Sequence, residues 1–340
     1  MTRAARNFSP WAYWSLHLAN VADGDPAPVR DRDEPFEVVD AWRMRVRTRL
    51  DALLGPEPAR VEPDVEYGEA VDCGDHVRHR VVYDTEVAMS VPAYVLVPHD
   101  RSIAGPGVLA VHGHGPGKDL VCGVVGAAPD HYAVDLVRLG YVVLAPDLRC
   151  FGERQDPQWD PDGHKYDCDW NLVAASMAGV TPLRQNLWDL QRSLDVLAAH
   201  PLVDPDRLAT AGFSYGATMA LFLAACDERV RAAVVSGYLS SWRAAHRVPW
   251  NMCGSQVMFG QLGRVEHVDV AALIAPRALL VETGTDDPLF PLTSARETVA
   301  SAQRVWRACD ADEGRLVHEV FEGDHRWGGA ALAEFLARNL

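Results

Sequence analysis

The sequence predicts an α/β protein: a mostly parallel central sheet with helices on both faces, preceded by an N-terminal helical extension. Three observations carry this. From residue 107 onward, short runs that are apolar along their whole length recur, as strands covered on both faces require. Segments of helical periodicity lie between most of these runs, so crossover helices join strands that run parallel. One run passes into a helical segment through a serine flanked by glycines.

The elements follow in order. In "FEVVDAWRMRVRTRLDALLG", Phe36, Val39, Trp42, Val46, Leu50 and Leu53 recur near helical spacing and stop at Gly55-Pro56, which predicts an amphipathic helix packed on the main body. Residues 1–64 are read as the extension and 65–340 as one domain. Between 65 and 98, "VRHRVVYDTEV" and "VPAYVLVP" alternate or are β-branched and predict strands. The apolar runs are "GVLAVHG" (107–113), "YVVLAPD" (141–147), "RLATAGFS" (207–214), "AAVVSG" (232–237), "ALLVETG" (278–284) and "VHEVFEG" (317–323). Helices are expected near 130–139, 182–200, 215–226, 292–308 and 329–339.

Composition excludes several functions. The chain has 340 residues, 48% of them hydrophobic and 23% charged, as ordinary globular proteins do. A net charge of −15 argues against nucleic acid or an anionic membrane surface as partner. The seven cysteines include no C-x-x-C pair, so neither a disulfide framework nor a zinc site is expected. No apolar run reaches the roughly 18 residues of a membrane span, and the N-terminus lacks an apolar leader core. A cytoplasmic protein without cofactor or metal is expected, with a small molecule as partner; a homo-oligomer is compatible with the sequence.

In a parallel sheet, ligands bind beyond the carboxyl ends of the strands, so the polar residues following each run are the candidates. Gly212-Phe213-Ser214-Tyr215-Gly216 fits G-x-S-x-G at a strand-to-helix turn too tight for side chains two residues either side of the serine. The plainer alternative is a glycine-rich turn whose serine caps the helix. A nucleophilic serine needs a base, and the base an orienting carboxylate. "FEGDHRWGG" supplies His325 after the last run, and "ETGTDDPLFP" supplies Asp286 and Asp287, either of which could serve while the other caps the turn. An oxyanion hole would use the Tyr215 amide and one from "VHGHGPGKD", where His114 follows Gly113. That loop is no phosphate cradle, because aspartate follows Lys118 and the glycine spacing fails.

The segments "HGHG", "YVVLAPDLRCFGER", "GFSYGAT", "IAPRALLVETGTDDPLFP" and "FEGDHRWGG", in this order over about residues 80–330, resemble the α/β-hydrolase superfamily. The resemblance is strongest to its dienelactone-hydrolase-like and acetyl-xylan-esterase-like branch. It implies the α/β-hydrolase fold and cleavage of a carboxylic ester, with Ser214 as nucleophile and His325 as base. The family's aspartate stands four residues before a proline, which selects Asp287 ahead of Pro291. The chain has serine where dienelactone hydrolases have cysteine, and Cys150 where the family usually has glycine.

In this fold, an insertion at about 150–185 would hang over the pocket, with Trp159, Tyr166 and Trp170 as candidate walls or ordinary packing aromatics. "QDPQWDPDGHKYDCDWN" is similar to a calcium loop at Asp160, Asp162 and Gly163, but Gln158 and Asp169 stand where stronger ligands belong. An acidic loop without metal is the expectation. Acyl transfer or carbon–carbon bond hydrolysis could use the same triad, and a non-catalytic binding protein would lack one of its members.

Overall fold

The computed structural model describes residues 9–10, 13–14, 17, 36–156, 167–245 and 251–340. Nine strands form one sheet: β1 (Glu66–Asp72), β2 (His76–Glu86), β3 (Met89–Pro98), β4 (Gly105–Val111), β5 (Val142–Pro146), β6 (Val203–Phe213), β7 (Val230–Ser236), β8 (Ala278–Gly284) and β9 (Leu316–Phe321), in the order β1-β2-β3-β5-β4-β6-β7-β8-β9. The pairs β1–β2, β2–β3 and β3–β5 are antiparallel; from β5 through β4 to β9 every neighbour is parallel.

Every apolar run of the sequence became a strand of the parallel part; the inner strands are covered on both faces, whereas the edge strand β9 is only half-buried. Along β4, Leu109 and Val111 join one buried cluster, while Val108 and Ala110 join another on the opposite face. The first cluster takes in α1 (Phe36–Leu54), α5 (Pro182–Ala198), α6 (Tyr215–Cys226), α8 (His267–Ala272) and α9 (Leu292–Ala308). The second takes in α3 (Tyr132–Arg138) and α10 (Leu332–Asn339). Short helices α2 (Lys118–Val121) and α7 (Trp242–Ala245) and the longer α4 (Asp167–Met177) complete the set among the described residues. None of these helices is long and apolar enough to cross a membrane. Strand β1 was not anticipated: all seven of its residues are exposed, so no alternation marks it.

The strand order reverses at β4. The chain goes from β4 to β5 on one side and then returns to place β6 on the other. The crevice beyond the carboxyl ends of β4 and β6 is therefore the topological switch point where ligands bind in such sheets.

Helix α1 follows its predicted stripe. Val39, Trp42, Val46 and Leu50 are at most 1% exposed, and Arg43 reaches across to the carbonyls of Leu273 and Ala275 at 3.3 and 2.5 Å; the Phe36 side chain lies outside the described residues. Because Trp42 is buried against the body, Trp42→Ala should cost about 3–5 kcal/mol in urea unfolding. A loss below about 1 kcal/mol would mean that α1 is only loosely docked.

Candidate active site

Ser214 sits between β6 and α6 with φ 55° and ψ −119°, a left-handed region costly for a residue with a Cβ. The flanking glycines show what holds it there. A Cβ at Gly212 would strike the carbonyl of Gly216, and one at Gly216 would strike the carbonyl of Val111. The Ser214 amide donates to the Ser236 carbonyl at 2.9 Å, and Phe213 stacks obliquely on His325 with ring centroids 4.7 Å apart.

The structure brings the predicted residues together. The Ser214 hydroxyl donates to His325 Nε2 at 2.9 Å, and His325 Nδ1–H donates to Asp287 Oδ2 at 2.8 Å. Position distinguishes the adjacent carboxylates. The Asp287 carboxylate is buried, and its other oxygen accepts the Leu289 and Phe290 amides at 2.8 and 3.0 Å. Asp286 is exposed and accepts from the Thr285 hydroxyl at 2.9 Å.

Tyr215 opens α6, so its N–H has no carbonyl one turn back to bond and points out of the helix start. The loop after β4 lies alongside: a Cβ on Gly113 would meet the Phe213 carbonyl at 3.0 Å and Ser214 Cβ at 3.5 Å. This places His114, the next residue, beside the nucleophile. His112 fixes the loop's shape. Its Nδ1–H donates to the Gly113 carbonyl at 2.7 Å, and its Nε2 accepts the Leu148 amide at 2.9 Å. That assignment requires neutral imidazole, and burial lowers the His112 pKa in the same direction. Further along, Asp147 receives the Lys118 amide (2.8 Å), the Lys118 ammonium (2.7 Å) and the Glu153 amide (3.0 Å). Burial opposes the Lys118 charge, but Asp147 and Glu153 outweigh it and raise its pKa.

A cavity of about 360 Å³ opens over the serine, lined by Leu120, Asp130, Asn251, Cys253, Gln256 and Phe290 besides the residues above. Nothing in the sequence marks Asn251, Cys253 or Gln256, which lie in an irregular segment without hydrophobic period. Of the expected pocket aromatics, Trp159 and Tyr166 lie outside the described residues, as do Gln158, Asp160, Asp162 and Gly163 of the acidic loop. The expectation for Trp170 is corrected: it is 55% exposed on α4 and does not line the cavity. Two residues along a helix is about 200° around it, so it is Cys168, not Trp170, that faces inward. Asp169 accepts the Gly254 amide at 2.6 Å, which fastens α4 to the cavity-lining turn Gly254–Gln256. Cys168 and Cys253 are hydrogen-bonded to each other; the thiol of Cys253 donates, so the Cys168 pKa is lowered, while burial foremost raises that of Cys253.

A family model described as Abhydrolase family matches residues 36–339. YtaP of Bacillus subtilis (strain 168), assigned as a hydrolase, is 29% identical over 273 residues, 73% of this chain and 83% of that protein. A Bacteroides fragilis NCTC 9343 protein assigned as an acetyl xylan esterase superposes with a TM-score of 0.74 at 18% identity, over 94% of this chain and 83% of its own. The glucuronoyl esterase of Solibacter usitatus gives 0.66 at 15% identity, over 94% and 98%. At such identities the two structures show a common fold.

One buried carboxyl beneath the site was not foreseen. Glu282 on β8 is fully buried, pairs in register with Glu319 of β9, and accepts the Gly329 amide at 2.8 Å, just past the His325 loop. Burial pushes its pKa up to about 7, and Glu319 adds to the rise. A folded-state pKa above the unfolded one contributes stability that is present at low pH and lost as pH climbs through about 7. Glu282→Gln keeps an acceptor for Gly329 and carries no charge. The variant should match wild type near pH 5 and exceed it by about 1–3 kcal/mol near pH 8, as read by denaturant unfolding at both values. Equal pH dependence in the two proteins would refute the assignment.

Proposed function

The chain belongs to the Abhydrolase family, and on that premise we propose that it is a serine hydrolase that cleaves a carboxylic ester through an acyl-enzyme intermediate. The observation that carries this reading is the continuous relay from the Ser214 hydroxyl through His325 to Asp287, at 2.9 and 2.8 Å. Ser214 Oγ attacks the ester carbonyl as His325 Nε2 takes its proton. Asp287 holds the imidazole in the tautomer that leaves Nε2 free to accept, and stabilises the imidazolium once formed. The Tyr215 and His114 amides hold the oxyanion. The tetrahedral adduct collapses as His325 returns the proton to the leaving alkoxide; water then repeats the sequence on the acyl-serine.

For the substrate we propose a small neutral acyl group on a polar, carbohydrate-like alcohol. The lining combines Leu120, Val121, Leu289 and Phe290 with Asn251, Gln256 and Asp130, apolar surface for an acyl chain beside hydrogen-bonding groups for hydroxyls. Names among the structural neighbours agree at the level of class, since esterases of xylan acetyl groups and of glucuronoyl groups are both present; the apolar side chains of the lining suit the small acyl group of the first kind. A cytoplasmic location is proposed on cysteine usage, since all seven are free thiols.

Ser214→Ala should lower kcat on a small activated ester such as an aryl acetate by at least about a thousandfold, with the fold retained. An active-site phosphonate should label wild type at one site per chain and leave the variant unlabelled. Retention of more than about a tenth of the activity would exclude Ser214 as nucleophile. Asp287→Asn should cost about a thousandfold or more in kcat, because an amide holds the wrong tautomer, whereas Asp286→Asn should stay within about threefold. Losses of similar size in both variants would reassign the carboxylate.

A further inference from the structure

We propose that His114, Cys168 and Cys253 form a binding site for one thiophilic divalent cation, zinc being the ion that fits, which ties the insertion helix α4 to the oxyanion loop. The three come from separate parts of the chain: the loop after β4, the first turn of α4, and the segment before the Gly254–Gln256 turn. One ligand atom from each lies within 4.8 Å of the others. Zinc bonds of about 2.3 Å to sulfur and about 2.0–2.1 Å to nitrogen set ligand-to-ligand edges of roughly 3.4–3.8 Å, so a closure of about 1 Å, within reach of rotamer adjustment, seats the ion. The absence of a C-x-x-C pair had argued against such a site; folding assembles it from residues no sequence spacing links.

The donor chemistry selects the ion. Two thiolates and an imidazole form a set that hard cations such as magnesium or calcium do not favour and zinc does. Both cysteines are buried, at 1% and 6% exposure. The His114 ring is hydrogen-bonded to Cys168, which sets it against the sulfurs, and its Nε2 is buried without a further partner among the described residues, an unusual state for a ring nitrogen. On binding, both thiols release their protons to solvent, and two thiolates balance the charge of the ion. Three protein ligands leave a fourth position. His114 and Cys253 line the catalytic cavity, so a water or substrate oxygen entering it can complete the shell. The ion would thereby fix the backbone of His114, which follows Gly113 beside the serine, and hold the insertion against the pocket.

Full-length protein purified in reductant without chelator is predicted to contain close to one zinc per chain by elemental mass spectrometry. After chelation, titration with cobalt(II) should give a near-ultraviolet thiolate-to-cobalt charge-transfer band and tetrahedral visible bands that saturate at one equivalent. Cys168→Ser and Cys253→Ser should each abolish the charge-transfer signal of the site, and His114→Ala should weaken cobalt affinity at least about tenfold. Circular dichroism of each variant against chelated wild type establishes that it is folded. Should a cysteine variant not fold, wild type in competition with a chromophoric chelator gives the same reading. No bound metal and no charge-transfer band in reduced wild type would overturn the proposal. So would a mass lower by two hydrogens with Cys168 and Cys253 both unreactive, which identifies a disulfide. Bound metal is the readout, so the outcome does not depend on the esterase reading.

Discussion

The backbone contact between the end of β4 and the start of α6 is the constraint on which the site depends. No Cβ fits at Gly216 because the Val111 carbonyl occupies that space, and none fits at Gly212 because the Gly216 carbonyl does. Two consequences follow from one contact. The turn at Ser214 is forced into a left-handed conformation that lifts its hydroxyl clear of both elements, and the loop leaving β4 is pressed against the same turn through Gly113. Ser214 and the proposed oxyanion donors thus belong to a single backbone unit. Such preorganisation matters because donors already aimed at developing charge need no reorganisation during reaction.

Behind this unit, buried ions hold the connecting loops. Asp147 gathers the Lys118 ammonium and two amides, while Asp189 gathers Arg149 at 2.8 and 3.0 Å, Arg154 at 2.9 Å and the Thr85 hydroxyl at 2.6 Å. Removing such charges from water is expensive, and pairing returns the cost only when remaining lone pairs are also satisfied. Both carboxylates meet that condition. The arrangement is better understood as fixing one loop geometry than as adding net stability. Non-specific apolar packing would leave the segments after β4 and β5 free to shift, and those segments carry His114 and shape the cavity rim. The coupling also explains how Cys150 is accommodated with φ 73° where the family usually has glycine: its neighbours Arg149 and Phe151 are anchored on both sides, Arg149 to Asp189 and Phe151 against the rings of His112 and His114 at 5.6 and 5.4 Å.

Legibility in the sequence follows from these physics. The parallel strands were readable because burial on both faces demands unbroken apolar runs, and the helices because one-sided burial imposes a period of 3.6. Ser214 and His325 were readable because each stands immediately beyond such a run. Asp286 and Asp287 were not separable by local pattern, since backbone direction after β8 decides which carboxylate turns inward. Strand β1, exposed throughout, had no pattern to give. Glu282 lies within the run "ALLVETG" with nothing local to mark it; its partners, Glu319 and the Gly329 amide, are 37 and 47 residues away in sequence.

The silent segments share a property. Cys168, Asn251, Cys253 and Gln256 lie on a short insertion helix or in irregular chain, where neither strand nor helix periodicity constrains residue type. Those are the segments that line or back the cavity, whereas Ser214, His325, Asp287 and the proposed oxyanion donors sit at the ends of regular elements. Within one fold, chemistry can therefore be inherited through pattern while selectivity varies without it. A loop residue such as Gln256, whose side-chain amide donates to the Thr218 hydroxyl at 2.9 Å, is held by α6 yet faces the pocket. Its identity is bound by that bond and by the Cys253 amide, which its Oε1 accepts at 3.2 Å, not by hydrophobic period, so exchange there alters the cavity without disturbing the contact that shapes Ser214.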